Sequence, residues 1–305
     1  MPYLGHVPRF FKPRTPNYFD EVVASYIRDQ LDEDPAAYND YVVVPTIEDI
    51  ATRSILRYNR HPHPYSPRIQ RMYDEAADWM YKHFYQHLCH SEVLSFDAIA
   101  EWLSINKSSG YPWNLKYPHK EDWFQSDEGM DWLDAYWLSL ATDDYIQSFA
   151  AVSIKEEIRP RVKVEVQGKG RTITSMPVHH IFAHLSLCRD QSIRLHNAHL
   201  KCASALGLDQ FHGGFQKLFD RMQCFGLEVP TTLEIDGEQF DGSFYEYQFS
   251  LIANFRWLCL ATRHRTPANK KRLQNLYRDL TRAPVINVDG AVYGRGVGGP
   301  SGHGL

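Results

Sequence analysis

Thr231–Phe244 reads TTLEIDGEQFDGSF, and the reading of this stretch decides what the rest of the chain is for. Thr231 to Ile235 has the composition of a short strand that runs into Asp236. Four residues separate Asp236 from a second carboxylate, Asp241, and Gly237 and Gly242 each follow an aspartate. A carboxylate at the end of a buried strand is costly unless a cation compensates it. Mg²⁺ is the usual compensator, because it takes hard oxygen ligands from one or two carboxylates plus substrate phosphates. Gly237 leaves its own carbonyl free to join such a site. The plainer alternative is a strand followed by a turn, since Asp-Gly pairs are common turn formers.

Bulk properties narrow the field. The 305 residues suffice for two ordinary domains or one large one. Hydrophobic residues at 43% and charged residues at 23% fit a globular protein. A net charge of −4 gives no global basic field, so nucleic-acid binding needs a local basic channel. Five scattered cysteines (Cys89, Cys188, Cys202, Cys224, Cys259), none in C-x-x-C spacing, fit reduced thiols and argue against a disulfide framework or zinc ribbon. There is no apolar run of 18 residues and no signal peptide after Met1, so nothing marks the chain for a membrane or for export.

Tyr18–Leu31 has the spacing of a short amphipathic helix, with Tyr18, Val22, Val23, Tyr26 and Ile27 on its buried side. HPHPYSP (61–67) is a Pro-broken connector. Ser66 caps a helix to about Cys89, with Pro67 at its first position and Ile69, Met72, Tyr73, Ala76, Trp79, Met80 and Phe84 at helical spacing. A short helix over Ser95–Leu103 precedes KSSGYPWN (107–114). That stretch is either an ordinary turn or a loop whose backbone and hydroxyls contact a nucleic-acid strand while its aromatics anchor it. Glu121–Ala141 reads as one helix, followed by Asp143-Asp144.

IKEEIRPRVKVEVQGKGRTITS (154–175) carries six basic residues (Lys155, Arg159, Arg161, Lys163, Lys169, Arg171) against three acids. Alternation over Lys163–Val166 and Arg171–Ser175 predicts a β-hairpin. Its Lys and Arg suit a triphosphate, or simply make a solvated face. Helices are expected over Pro177–Leu200, Asp209–Gln223, Phe244–Thr262 and Pro267–Arg282. VINVDGAVYGR (285–295) offers two strands joined by a type I′ turn at Asp289-Gly290. His87, Cys89 and His90, and the pair His180/His184, lack further ligands at metal spacing and are expected to be packing or surface residues.

In this order the features resemble the fingers and front half of the palm of viral RNA-dependent RNA polymerases, especially picornavirus-like and astrovirus-like ones of positive-strand RNA viruses. KSSGYPWN resembles that family's S-x-G-Y-P template loop, carried by Ser108, Ser109, Gly110, Tyr111 and Pro112. KEEIR followed by GKGRTI is similar to the basic fingers motif, with Lys155, Glu157, Arg159, Lys169 and Arg171 in matching places. Ala205-Leu206-Gly207 followed by Asp209 resembles the segment between fingers and palm. IDGEQFDGS resembles the first palm motif, D-x₄-D, and GGPSG the opening of the second, G-x-P-S-G.

The resemblance implies an α+β right-hand polymerase fold: helical fingers with a basic β-hairpin, a partial antiparallel palm sheet, and no thumb. It divides the chain into 1–65 as an N-terminal extension or fingertips, 66–230 as fingers, and 231–305 as partial palm with inserted fingers helices. It implies template-directed RNA synthesis in viral genome replication. Asp236 is the implied catalytic residue and, with Gly237, the ligand of two Mg²⁺ (or Mn²⁺) ions. Lys155, Arg159, Lys169 and Arg171 are the implied triphosphate clamp, Asp241 the sensor of the ribose 2′-hydroxyl, and Ser301 with Gly302 a loop that positions the nucleotide. Implied partners are RNA template and primer, ribonucleoside triphosphates and other viral replicase proteins. The implied setting is host-cell cytoplasm, any attachment to membrane replication complexes coming through those other proteins.

The chain departs from the pattern by closing at Leu305, just inside the second palm motif. The family's later Thr and Asn and its G-D-D turn are absent, and Asp143-Asp144, expected at a helix end, does not stand in for that turn. Negligible activity is therefore expected of this chain alone. Two rivals remain: a chymotrypsin-like serine protease using Ser301 in GGPSGHG, and a non-catalytic RNA-binding fragment. The first demands an almost all-β fold.

Overall fold

The computed structural model describes residues 1–8, 21–32, 34, 40–44, 48–60, 66–155, 157–223 and 240–300. Its elements begin with β1 (Tyr3–His6), α1 (Glu21–Leu31), β2 (Tyr41–Val43) and α2 (Glu48–Ile55). Then come α3 (Pro67–Leu88), α4 (Phe96–Trp102), α5 (Lys120–Phe124) and α6 (Asp127–Ser139). β3 (Ala150–Ile154), β4 (Ile158–Pro160), β5 (Thr172–Ser175), α7 (Val178–Asn197) and α8 (Phe215–Gln223) follow. α9 (Glu246–Cys259), α10 (Pro267–Arg282), β6 (Val285–Ile286) and β7 (Ala291–Tyr293) complete the order.

Helix starts follow from side chains that satisfy the orphan N–H groups of a first turn. Ser66 accepts from the Ile69 amide at the head of α3, Ser95 from Ala98 at α4, and Thr266 from Asn269 at α10. Pro67 and Pro267 occupy first-turn positions, where a missing N–H costs nothing. Ser126 breaks the helix expected over 121–141 into α5 and α6, because its hydroxyl accepts from the Gly129 amide and restarts the chain.

A five-stranded sheet runs β1-β7-β6-β3-β5, with β3 and β6 parallel and the other neighbours antiparallel. β2 and β4 form a separate antiparallel pair. The basic ribbon expected from 163–166 and 171–175 is built otherwise. Val162–Val166 is helical, and β5 pairs with β3, in register Ile154↔Thr172 to Ala151↔Ser175. Local alternation cannot see that partner, which lies before the basic stretch. The hairpin at 285–295 forms, but its turn is not type I′. Only Gly290 takes a positive φ, and the Gly290 amide donates to Asn287 O while Asn287 N donates to Ala291 O. That is a three-residue loop closed by a glycine bulge.

The largest core lies under β3 and the helices α6, α7, α9 and α10, with Tyr136, Leu187, Phe249, Leu276 and Tyr277 fully buried. Ile99, Trp123, Leu133, Val178 and Phe182 form a second core, between α4, α5, α6 and α7. In α1, Ile27 is buried but Val22 and Tyr26 are exposed, against the expected apolar face; Tyr18 and the Val23 side chain lie outside the described residues. The apolar stripe of α3 is likewise half covered. Ile69, Met72 and Tyr73 line one wall of a groove of about 880 Å³, with Tyr245, Tyr247 and Arg295 opposite. No helix among the described residues is long and apolar enough to cross a membrane.

Candidate functional site

Asp241 stands in a short helical turn, Phe240–Ser243, that leads into α9. Gly299 N donates to the Asp241 carbonyl at 2.8 Å, Gly298 N donates to Phe244 O, and Tyr245 bridges to Val297. The two stretches that resemble palm motifs are thus sewn together by backbone. Gly298 makes this possible: its φ is +82°, and a Cβ there would stand 2.3 Å from the Tyr58 ring.

The Asp241 carboxylate faces residues that the sequence reading passed over. Arg57 Nη2 lies 3.0 Å from Asp241 Oδ2, with both side chains mostly shielded. The same nitrogen donates to Thr172 Oγ1 at 2.8 Å, and Thr172 Oγ1 lies 2.7 Å from Ser54 Oγ. The fully buried Tyr58 places its hydroxyl 3.1 Å from Thr174 Oγ1, 3.3 Å from Gly299 O and 3.4 Å from Asp241 Oδ2. These contacts join the end of α2, the inward face of β5 and the turn before α9. Leu56–Tyr58 had no local pattern to mark it, since its partners lie more than a hundred residues away. The alternation of β5, with Thr172 and Thr174 inward, was the one available signal. Arg295, buried and stacked 5.4 Å from the Tyr58 ring centroid, has its pKa lowered to about 10 by burial.

Beyond β5 three of the basic residues converge on one acid, while Arg161 pairs with Glu165. Arg159 Nε pairs with Glu157 Oε1, Arg171 Nη1 lies 3.5 Å and Lys155 Nζ 3.8 Å from Glu157 Oε2. Lys155 N donates to Arg171 O at 2.8 Å, so the two cations sit side by side across the β3–β5 end. Lys169 is exposed nearby in sequence, its amide donating to Lys163 O. One carboxylate among three cations leaves two positive charges in excess, partly exposed, which suits a polyanion.

The 107–114 loop is pinned from both sides. Lys120 N donates to Lys107 O, Ser108 bridges to His119, and the Ser109 hydroxyl donates to Tyr117 O. On its other flank Val178 N, at the head of α7, donates to Ser109 O at 2.9 Å. Ser108 and Pro112 stay exposed, Gly110 and Tyr111 half-buried and Ser109 buried. Lys120 has its pKa lowered, first by burial and then by the neighbouring Lys107. Two adjacent ammonium groups at the loop's base are better accommodated beside phosphate than alone.

Asp236, Gly237, Ser301 and Gly302 lie outside the described residues, as does the strand expected over Thr231–Ile235. Among the described residues no three His, Cys, Asp or Glu side chains gather where one ion could be held, and Asp241 is committed to Arg57. The described donors by themselves therefore do not fit a divalent-ion site. His184 is buried against the Tyr277 ring, His180 is buried with Nδ1 3.2 Å from the Tyr136 hydroxyl, and Asp143 pairs with Lys271. Helices dominate the described residues, so nothing in the fold supports a chymotrypsin-like use of Ser301.

A family model for viral RNA-dependent RNA polymerase matches residues 1–305. The genome polyprotein of Bean yellow mosaic virus is 28% identical over 151 residues, which are 50% of this chain and 5% of that polyprotein. Those of Tobacco vein mottling virus and Plum pox potyvirus (isolate NAT) are 27% and 29% identical over the same length, again 50% of this chain and 5% of theirs. Among solved structures, the Sicinivirus 3Dpol RNA dependent RNA polymerase superposes with a TM-score of 0.63 at 17% identity, covering 83% of this chain and 53% of that one. The fold is therefore shared, while this chain spans a small part of the polyproteins and about half of the polymerase.

Proposed function

We propose a division of labour within a chain that belongs to the viral RNA-dependent RNA polymerase family: it supplies the template-contacting and nucleotide-receiving half of an enzyme that copies RNA. The observation that carries this reading is the meeting of three sequence-distant motifs at Asp241, which bonds through its backbone to Gly299 and through Arg57 to Thr172, the neighbour of Arg171.

In this reading Lys155, Arg159, Lys169 and Arg171 receive the triphosphate, an electrostatic clamp of the kind that dominates phosphoryl transfer. Glu157 keeps three of those side chains splayed around one point until phosphate oxygens compete for them. Asp241 tests the ribose 2′-hydroxyl, and Arg57 with Tyr58 fixes the direction in which its carboxylate points. Ser301 and Gly302 position the nucleotide. Ser108 to Pro112 guide the template. Asp236 and the Gly237 carbonyl are this chain's ligands for the divalent ions the family generally uses. When bound, such ions lower the pKa of an attacking hydroxyl and carry charge on leaving pyrophosphate. RNA template, primer and ribonucleoside triphosphates are the partners this implies, other replicase proteins further ones, and the host cytoplasm the setting.

The test is primer extension by a polymerase that carries this chain with the rest of the family's palm. Asp236→Asn is expected to abolish nucleotide incorporation, and Asp241→Ala to erode the preference for ribonucleotides over deoxyribonucleotides. Incorporation that survives D236N overturns the reading. Intact RNA binding without any incorporation by the unmutated enzyme turns it into a binding module.

A further inference from the structure

Behind the 107–114 loop lies a buried polar network that none of these roles uses. The half-buried Trp113 of the loop points its indole N–H at His179 Nδ1, 2.8 Å away. His179, on the first turn of α7, is buried, and its Nε2 lies 3.2 Å from Ser148 Oγ. Ser148 Oγ lies 3.1 Å from the Tyr136 hydroxyl on α6. That hydroxyl lies 3.5 Å from Asp279 Oδ2 on α10 and 3.2 Å from His180 Nδ1. Asp279, fully buried, also accepts from the Ser148 amide at 3.1 Å and the Tyr145 hydroxyl at 2.9 Å.

The Trp113 end of this series fixes its direction. An indole N–H only donates. His179 Nδ1 must therefore accept, which places the proton of the neutral ring on Nε2 and points it at Ser148. Ser148 then donates to Tyr136, whose single proton has two acceptors in reach, Asp279 Oδ2 and the nearer His180 Nδ1, while the Ser148 amide donates to Asp279 directly. The Ser148 hydroxyl accepts from His179 and so has its own proton left for Tyr136. From Trp113 to Tyr136 the series runs in one direction, and with the Ser148 amide on Asp279 it ties together the loop, α7, the segment before β3, α6 and α10.

We infer that His179 is a positioning residue: as the Nε2–H tautomer it ties the 107–114 loop, through Trp113 and Ser148, to Asp279 on α10, and so sets where a template strand meets the nucleotide-facing strand β5. Met176 and Pro177 are all that separate β5 from α7, so the same turn that seats His179 also sets the end of that strand. This rests on the reading of 107–114 as a template-contacting loop.

Two measurements on the 305-residue chain test it. Imidazole ¹⁵N NMR at neutral pH is expected to show His179 protonated at Nε2 alone; a ring protonated at Nδ1, or at both nitrogens, overturns the relay. Binding of a single-stranded RNA oligonucleotide supplies the second. Trp113→Phe and Ser148→Ala do not touch one another's side chains except through His179, and each is expected to weaken binding about tenfold, the worth of one net hydrogen bond. The double variant is expected to lose little more than either alone, whereas additive losses overturn the link through His179. His179→Asn keeps an acceptor where Nδ1 stands but reaches no further, and should match S148A without adding to it. Lys107→Ala separates the two readings. If K107A weakens RNA binding and W113F does not, the positioning role fails; if neither matters while the tautomer stands, the template-loop reading fails and takes the role with it.

Discussion

At the scale of single residues, the Arg57–Asp241 pair is the contact on which the site's shape depends. Both groups are largely out of water, so a partner left behind by mutation is a stranded charge rather than a solvated one. Arg57→Met is expected to lower unfolding free energy by about 2 kcal/mol in urea denaturation. Combined with Asp241→Asn, the two losses should fall short of their sum by about 1 kcal/mol or more, the mark of a direct interaction. His179 makes a prediction in pH. Burial holds its pKa down at about 3, from an ordinary value of 6.5, with His180 adding to the effect. Between those values the unfolded chain takes up a proton that the folded chain refuses. The stability due to the neutral ring is therefore full above pH 6.5 and lost as pH falls toward 3. Unfolding free energy of the native chain should drop with falling pH more steeply than that of His179→Asn, by up to about 1.4 kcal/mol per pH unit. Parallel curves for the two proteins would sink this.

At the scale of elements, the caps and the hairpin carry most of what is locally written. β1 docks on β7 through Tyr3↔Tyr293, Gly5↔Val292 and His6↔Ala291, and Val7 N donates to Gly290 O. Gly290 holds φ at +96° in the turn, and a Cβ added there would stand 2.1 Å from Val7 O. Gly290→Ala meets both a strained backbone and a clash with the strand that closes the sheet. It is expected to cost about 2 kcal/mol or more and to speed amide exchange in β1 before the rest of the sheet. Exchange in β1 as slow as in the unmutated chain would show that the strand docks independently of this turn. The β3–β5 pairing belongs to this scale too. β3 is buried along nearly its whole length, as an interior strand should be, and β5 alternates, which lets its threonines face Arg57 and Tyr58.

For the whole molecule, a net charge of −4 means that the proposed RNA binding rests on patches, not on the overall field. The patches are the Lys107–Lys120 pair at the base of the 107–114 loop and the cations around Glu157. Single-stranded RNA affinity of the chain is therefore expected to fall with salt. Lys107→Ala should make the slope of log affinity against log salt shallower by about one ion, without changing sequence preference. A slope unchanged by K107A would remove the loop's base from the RNA path. The groove between α3 and the start of α9 lies outside both patches.

Local chemistry determined a good deal of this protein. Ser66-Pro67 announced α3 to within a residue, because a cap satisfies its own helix from a few positions away, and α10 spans the Pro267–Arg282 expected of it. The 107–114 loop, the basic stretch and the 285–295 hairpin were legible for the same reason, and their order along the chain pointed to the polymerase family. What the sequence left open was every interaction whose partner is remote. It paired Arg171–Ser175 with Lys163–Val166 where the fold pairs β5 with β3, passed over Arg57 and Tyr58, and read His180 only beside His184 and Trp113 only within its loop. Their meaning comes from contacts spanning from 44 to 183 residues, between Tyr136 and His180, Trp113 and His179, and Tyr58 and Asp241. Only the fold decides such contacts, because burial makes a charge or a ring nitrogen find a partner in space, and no spacing along the chain records which one.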